Sequence, residues 1–333
     1  MQEYVKRAMA HRIAVTLPAM RVTILGTAAG GGFPQWNCAC GNCRALRAGS
    51  FPGKARTQAQ VAISADSRSW FLLGASPDLR AQIEAAPELR ASGDLGDENS
   101  RQSPITGAVL ANADLDHVLG LLLLRELQPL RLHATASVRR ILTQDNSMFH
   151  MLQRVPNQVT WSDFAPGTEL PLLDPVGNDS GIRCRALSLA AHFPAYVSTP
   201  RQSELAPQEA SLGLILESPT GKRLAYLPAV PAVSDELLRE LEATDVVLFD
   251  GTFWSDDELI RIHGSGQTAR QMGHLPVSSA HGSLCKLAQL RRTRKIYIHI
   301  NNTNPMLNEA GPESRQVRES GCEIAEDGWR FDL

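Results

Sequence analysis

Six residues set between two apolar runs constrain this chain more than any other stretch: Asn112-Ala113-Asp114-Leu115-Asp116-His117. Pro104 to Ala111 reads as a buried strand, and Val118 to Leu124 as the opening of a helix packed on it. The polar cluster therefore falls at the carboxyl end of a strand, where open α/β sheets place their ligands. It also falls at a helix N-terminus, where aspartate is electrostatically favoured. Capping by Asp114 or Asp116, with His117 on the surface, is the plainer reading of the same residues.

Two later strands end in a similar way. Asp245 to Phe249 is apolar and runs into Asp250-Gly251, which puts another carboxylate at a strand end, or else a simple turn. Lys295 to Ile298 runs into His299 and the polar loop Ile300-Asn301-Asn302-Thr303-Asn304. A histidine among Ile and Tyr is often a satisfied core residue. His274, in Met272-Gly273-His274-Leu275-Pro276, reads either as a loop residue or as an orienter or proton carrier for such a site.

Near the start, Met20 to Gly26 is a first strand that leads into the glycine run 30–32. That run lets the backbone turn with positive φ or approach another group closely. It lacks the spacing of a dinucleotide fingerprint, and no helix opens directly after it. Cys38-Ala39-Cys40-Gly41-Asn42-Cys43 follows. Thiols at C-x-C-x-x-C spacing can converge on one tetrahedral zinc, for which Cys38, Cys40 and Cys43 supply three ligands. Cys184, Cys285, Cys322 and the histidines are the possible sources of a fourth, and spacing does not choose among them.

The 333 residues suffice for one large α/β domain or two smaller ones. Strands and helices alternate in a two-fold pattern on each side of about residue 175, which suits an αββα sandwich of two sheets face to face with helices outside. A formal net charge of −2 gives no reason to expect a nucleic-acid or anionic-membrane partner. No apolar run reaches the ~18 residues that span a bilayer, and six cysteines in a chain of this length do not read as a secreted disulfide framework. A cytoplasmic protein is expected, with an oligomer possible. Residues 1–19 have no core pattern and read as an extension, leaving 20–333 as the folded domain.

The spacing at 112–117 resembles the His-x-His-x-Asp-His motif of the metallo-β-lactamase superfamily, with Asn112 and Asp114 in place of the first two histidines and Asp116-His117 matching. The stretches Leu25–Cys40, Asp114–Leu122, Asp250–Trp254, Met272–Pro276 and His299–Pro305 closely resemble the coenzyme PQQ biosynthesis protein B family. The resemblance implies a metallo-β-lactamase-like αββα sandwich and a cytoplasmic, metal-dependent protein. It implies an iron- and O₂-dependent hydroxylase acting on the tyrosine of a cross-linked Glu–Tyr precursor of pyrroloquinoline quinone. Two other readings stand beside it: a carrier of PQQ toward the periplasm, and a zinc hydrolase. In the superfamily the positions of Asp250 and His299 belong to a bridging aspartate and a last metal ligand, and a histidine near His192 serves the first metal. That metal's other two histidines are missing here, so His192 is a weak ligand choice.

Residue types then favour one metal over two. Asn112 and Asp114 weaken the first metal position, whereas Asp116, His117 and His299, with Asp250 beside them, retain the second. Two histidines and a carboxylate with open positions suit non-haem Fe(II) and O₂. Asp114 and His274 are assigned to the chemistry. Asn112, Gly31 and Gly32 are assigned to the substrate, in the space that the lost metal would fill.

Overall fold

The structure, a computed structural model, describes residues 19–91, 102–189 and 192–333. The expected extension therefore lies outside the described residues up to position 18, as does most of the Gly-, Asp-, Ser- and Asn-rich segment 91–103, which reads as a surface loop or an insertion. Fourteen strands lie within the described residues. The first six are β1 (Arg21–Gly26), β2 (Gln60–Ser64), β3 (Trp70–Leu73), β4 (Ile105–Val109), β5 (Leu130–Ala134) and β6 (Val159–Asp163). The others are β7 (Glu169–Leu173), β8 (Asp179–Ser188), β9 (Leu212–Glu217), β10 (Arg223–Leu227), β11 (Val246–Asp250), β12 (Arg294–Ile298), β13 (Cys322–Ile324) and β14 (Trp329–Asp332).

They form two seven-stranded sheets, ordered β14-β1-β2-β3-β4-β5-β6 and β13-β12-β11-β10-β9-β8-β7. Each sheet passes from antiparallel to parallel pairing. The first is antiparallel through β1, β2 and β3, then parallel through β4, β5 and β6. The second is antiparallel through β7, β8, β9 and β10, then parallel through β11, β12 and β13. The expected two-fold pattern is thus a repeated sheet topology. β14 departs from it by returning to the first sheet beside β1.

Side-chain alternation explains the four layers. Val61, Ile63, Phe71 and Leu73 face Leu214, Leu216, Tyr226 and Leu248 between the sheets. The opposite face of the first sheet, with Ala62, Leu72, Ala108 and Leu132, packs on Leu79, Val138 and Ile141 of its helices. The opposite face of the second, with Ile215, Val247, Phe249 and Tyr297, packs on Leu237, Leu284 and Val317. Burial on both faces is what lets β11 read as a continuous apolar run. The result is the expected αββα sandwich.

Two helices differ from expectation. After β4 the chain makes one α-turn, Leu115–Val118, and then a 3₁₀ segment, Leu119–Leu124. The Gly120 N–H donates to the Ala75 carbonyl, and a Cβ at Gly120 would sit 2.2 Å from the Ser76 carbonyl oxygen. This close approach to the neighbouring loop diverts the backbone bond that an α-helix would use. The sequence after Gln271–Ser278 reads as one helix through Leu290, but only Ser283–Leu287 is helical. Ser283 and Leu284 donate to the carbonyls of Pro276 and Val277, so the preceding segment loops back on itself. Among the described residues, no helix is long and apolar enough to cross a membrane.

Candidate metal centre and its two cavities

β4, β11 and β12 all deliver their carboxyl ends to one edge of the sandwich. There Asp116, His117 and His299 bring one potential ligand atom each to within 4.8 Å of one another. A second group, Asp250, His274 and His299, meets the same distance limit. His299 belongs to both and lies between the other two imidazoles. Its ring stacks on His117 at 5.2 Å and on His274 at 5.5 Å between centroids.

The backbone at His299 adopts φ 55°, a left-handed conformation uncommon outside glycine. Thr252 holds it there: the Thr252 hydroxyl lies 2.8 Å from His299 Nδ1 and 2.9 Å from the His299 carbonyl oxygen. His299 Nε2 consequently faces Asp116 Oδ2 at 3.1 Å. An outer hydroxyl that fixes one ring nitrogen and presents the other is the usual way a ligating histidine is oriented.

Asp250 is fully buried and its carboxylate is engaged on both oxygens. Oδ1 accepts from the Thr252 N–H and hydroxyl, and Oδ2 accepts from the Val230 N–H and faces His274 Nδ1 at 2.7 Å. Asp250 therefore stands behind His274 and Thr252, while Asp116 reaches the open side. His117 is buried, with its ring backed by Gly74, where a Cβ would lie 3.6 Å from His117 Nδ1.

The charges follow from this packing. Burial works against ionisation of Asp116, but the neighbouring His117 and His299 outweigh it and hold its carboxyl well below the usual range. Burial pushes His117 down to about 4, which keeps its imidazole neutral and able to ligate. Burial, with Asp116 nearby, pushes Asp114 up to about 7. For Asp250 and His274 burial opposes charge on both, yet their mutual attraction lowers the first and raises the second.

Two cavities meet at these residues and share Leu115, Asp116, Met272, His274 and His299 in their walls. The larger, about 620 Å³, is also lined by Asp114, His192, Tyr196 and Ser211. The smaller, about 390 Å³, is lined by Gly30, Gly31, Phe253 and Asn301. Gly31 and Gly32 have the positive φ expected of the glycine run, at 96° and 71°. Gly31 walls the smaller cavity, whereas Gly32 turns behind it and donates to the Ala29 carbonyl. Asn112 accepts from the Asp114 N–H through Oδ1 and is buried. His192 is exposed on the larger cavity's wall and joins neither ligand group.

The three cysteines also converge, with their sulfurs within 4.8 Å of one another. Among the described residues, none of the expected fourth ligands joins them: Cys184 lies between the sheets, Cys322 lies beneath the outer face of the second sheet, and Cys285 is exposed. The group facing the sulfurs is instead the Asn302 amide, 3.1 Å from Cys38 Sγ, 3.7 Å from Cys40 Sγ and 3.3 Å from Cys43 Sγ. Burial, joined by the adjacent thiols, pushes Cys40 up to about 11. The Cys40 N–H, with the adjacent thiols and Asn302, lowers Cys38 despite burial. Three sulfurs this close form a donor set that suits one dication, which would stabilise them as thiolates.

Comparison with known proteins agrees with this architecture. Residues 69–300 match the model of the "Beta-lactamase superfamily domain". Curated relatives named coenzyme PQQ synthesis protein B include one from Azoarcus sp. (strain BH72), 41% identical over 94% of this chain and 100% of the relative. Another, from Methylobacterium sp. (strain 4-46), is 39% identical with the same coverage. The solved structure of Zn(2+)-bound PqqB from Methylobacterium extorquens superposes with a TM-score of 0.84 at 37% identity, covering 94% of this chain and all of that one. A diphosphatase of the PhnP family, 18% identical with a TM-score of 0.62 over 95% of this chain and 97% of that one, shares the fold.

Proposed function

The chain belongs to the coenzyme PQQ synthesis protein B family of the β-lactamase superfamily, and from that premise we propose that it is a non-haem iron hydroxylase acting on the tyrosine of a Glu–Tyr-derived PQQ precursor. The observation that carries this reading is the donor set. Two imidazoles, His117 and His299, and one carboxylate, Asp116, converge, while positions 112 and 114 hold Asn and Asp. This set fits one Fe(II) with open positions better than a pair of zinc ions. When bound there, Fe(II) supplies the activation of O₂. Adding one oxygen atom to the ring reduces the other to water, which takes two electrons from an external reductant and two protons.

The chain's own residues have separable tasks. Thr252 orients His299. Asp250 fixes Nδ1 of His274, which leaves Nε2 as the ring's other proton-carrying atom, and His274 lines both cavities. In this role His274 holds and moves a proton next to the substrate ring. Leu115, Leu119, Phe253 and Met272 wall the smaller cavity with apolar surface that limits water beside it. Cys38, Cys40 and Cys43 hold a structural zinc.

Metal content measured together with turnover distinguishes the readings. Protein loaded anaerobically with Fe(II) and given a Glu–Tyr dipeptide, a reductant and air is expected to form a product heavier by one oxygen atom; zinc-loaded protein is expected to form none. Equal activity with zinc in the absence of O₂ would favour a hydrolase. Tight metal-independent binding of PQQ without turnover would favour a carrier.

A further inference from the structure

The larger cavity contains polar groups that the metal centre does not use. Asp114 reaches into it, and its carboxylate makes no side-chain hydrogen bond or ion pair among the described residues. Ser211, on the same wall, is 3% exposed, yet its hydroxyl has no partner. Asn112 lies behind Ser211 rather than in the cavity wall; it is 1% exposed, and its Nδ2 lacks a partner among the described residues. Asn112 and Ser211 pair as an isolated antiparallel bridge, so their side chains stand side by side on one face. A buried hydroxyl left without a partner is costly, and a ligand that accepts from Ser211 would remove that cost. Tyr196 Oη donates to the Ala113 carbonyl, which leaves its oxygen lone pairs available as acceptors. No lysine or arginine is among the residues lining the cavity.

We infer that this cavity seats the α-amino-acid head of the substrate, with the ammonium on Asp114 and Tyr196 Oη and the carboxylate on the Ser211 hydroxyl. Each acceptor then faces a donor of the ligand, and the orphaned Ser211 hydroxyl faces a carboxylate oxygen. A side chain extending from that head reaches the shared wall of Asp116, His274 and His299. The assignment deepens the hydroxylase reading, because it states how an amino-acid substrate would be held with its ring toward the metal. It also predicts discrimination between ligands that differ only at the head.

The test is a binding measurement, made anaerobically on the full-length protein so that no turnover enters it. L-tyrosine, tyramine and 3-(4-hydroxyphenyl)propanoate share a phenol and differ in having both charges, only the ammonium or only the carboxylate. L-tyrosine is expected to bind roughly tenfold more tightly than either of the others, the size of a lost charged hydrogen bond. Asp114→Asn is expected to abolish the advantage of L-tyrosine over the propanoate. Ser211→Ala is expected to reduce its advantage over tyramine, and it carries the test if the first variant fails to fold. Equal affinities in the unaltered protein, no binding of L-tyrosine, or full discrimination retained in both variants would overturn the inference. Because no oxidation is involved, binding discrimination without hydroxylation would contradict the proposed reaction alone, and hydroxylation without discrimination would contradict this inference alone.

Discussion

Replacing His299 by alanine is expected to remove the proposed catalytic metal and to lower O₂-dependent turnover by more than roughly a hundredfold, while the fold persists. The size follows from its position. Loss of an outer partner of a ligand costs roughly 10–100-fold in metal affinity or activity, and His299 is itself placed to ligate. It is also the member common to both groups of potential ligands, held between His117 and His274. The fold survives because His299 follows β12 and contributes to none of the three apolar layers. Thr252→Val, which removes the hydroxyl beside Nδ1 but leaves the imidazole, falls between the variant and the unaltered protein. Iron content, initial rate and circular dichroism check the series. A His299→Ala protein that keeps both iron and rate would remove His299 from the centre.

Cys40→Ser is expected to release the zinc proposed for the cysteine cluster and to cost on the order of 3–5 kcal/mol of stability, the class of loss that accompanies removal of a structural metal. At 2–4 °C per kcal/mol for a chain of this size, the melting temperature falls by about 10 °C. The substitution isolates the metal from local helix effects. Cys40 Sγ accepts from the Cys43 N–H as the cap of the helix Gly41–Arg47, and serine is itself a favoured cap. The loss therefore reports the ion. It also reaches the catalytic edge, because the Asn302 amide that faces the sulfurs is three residues beyond His299. Zinc analysis and thermal unfolding of the two proteins check this. Unchanged zinc and melting temperature in Cys40→Ser would show that the thiols are simply reduced cysteines in a loop.

The parts of this site that were legible in the sequence share a physical reason. Asp116, His117, Asp250 and His299 each end or follow an apolar run, and a buried strand cannot place a polar group anywhere but at its end without a partner. The three cysteines were legible because they are local. Residues that depend on long-range closure were not. Asn302 meets Cys38 across 264 positions, and no spacing rule connects an asparagine to thiols at that distance. Thr252 sat within a recognisable stretch, but its task depends on the left-handed turn at His299, for which the sequence carries no signal. Ser211 and Tyr196 lie between Leu122 and Asp250, a span that none of the resembling stretches covers. β6 and β7 went unread for a related reason. They close one end of each sheet and are mostly half-buried, so neither a continuous apolar run nor a clean alternation marks them. Helix lengths were overestimated where Gly120 and the Pro276–Gly282 loop divert backbone bonds.

The central claim is that Asp116, His117 and His299 hold one iron that supports insertion of oxygen into a phenol. The most direct measurement is isotope tracing with protein reconstituted with Fe(II), supplied with the Glu–Tyr precursor and a reductant under ¹⁸O₂. The account predicts a hydroxylated product that carries one ¹⁸O atom, and no such product under ¹⁶O₂ in H₂¹⁸O apart from slow exchange. A product whose new oxygen comes from water, or one formed equally well by zinc-loaded protein without O₂, would contradict it.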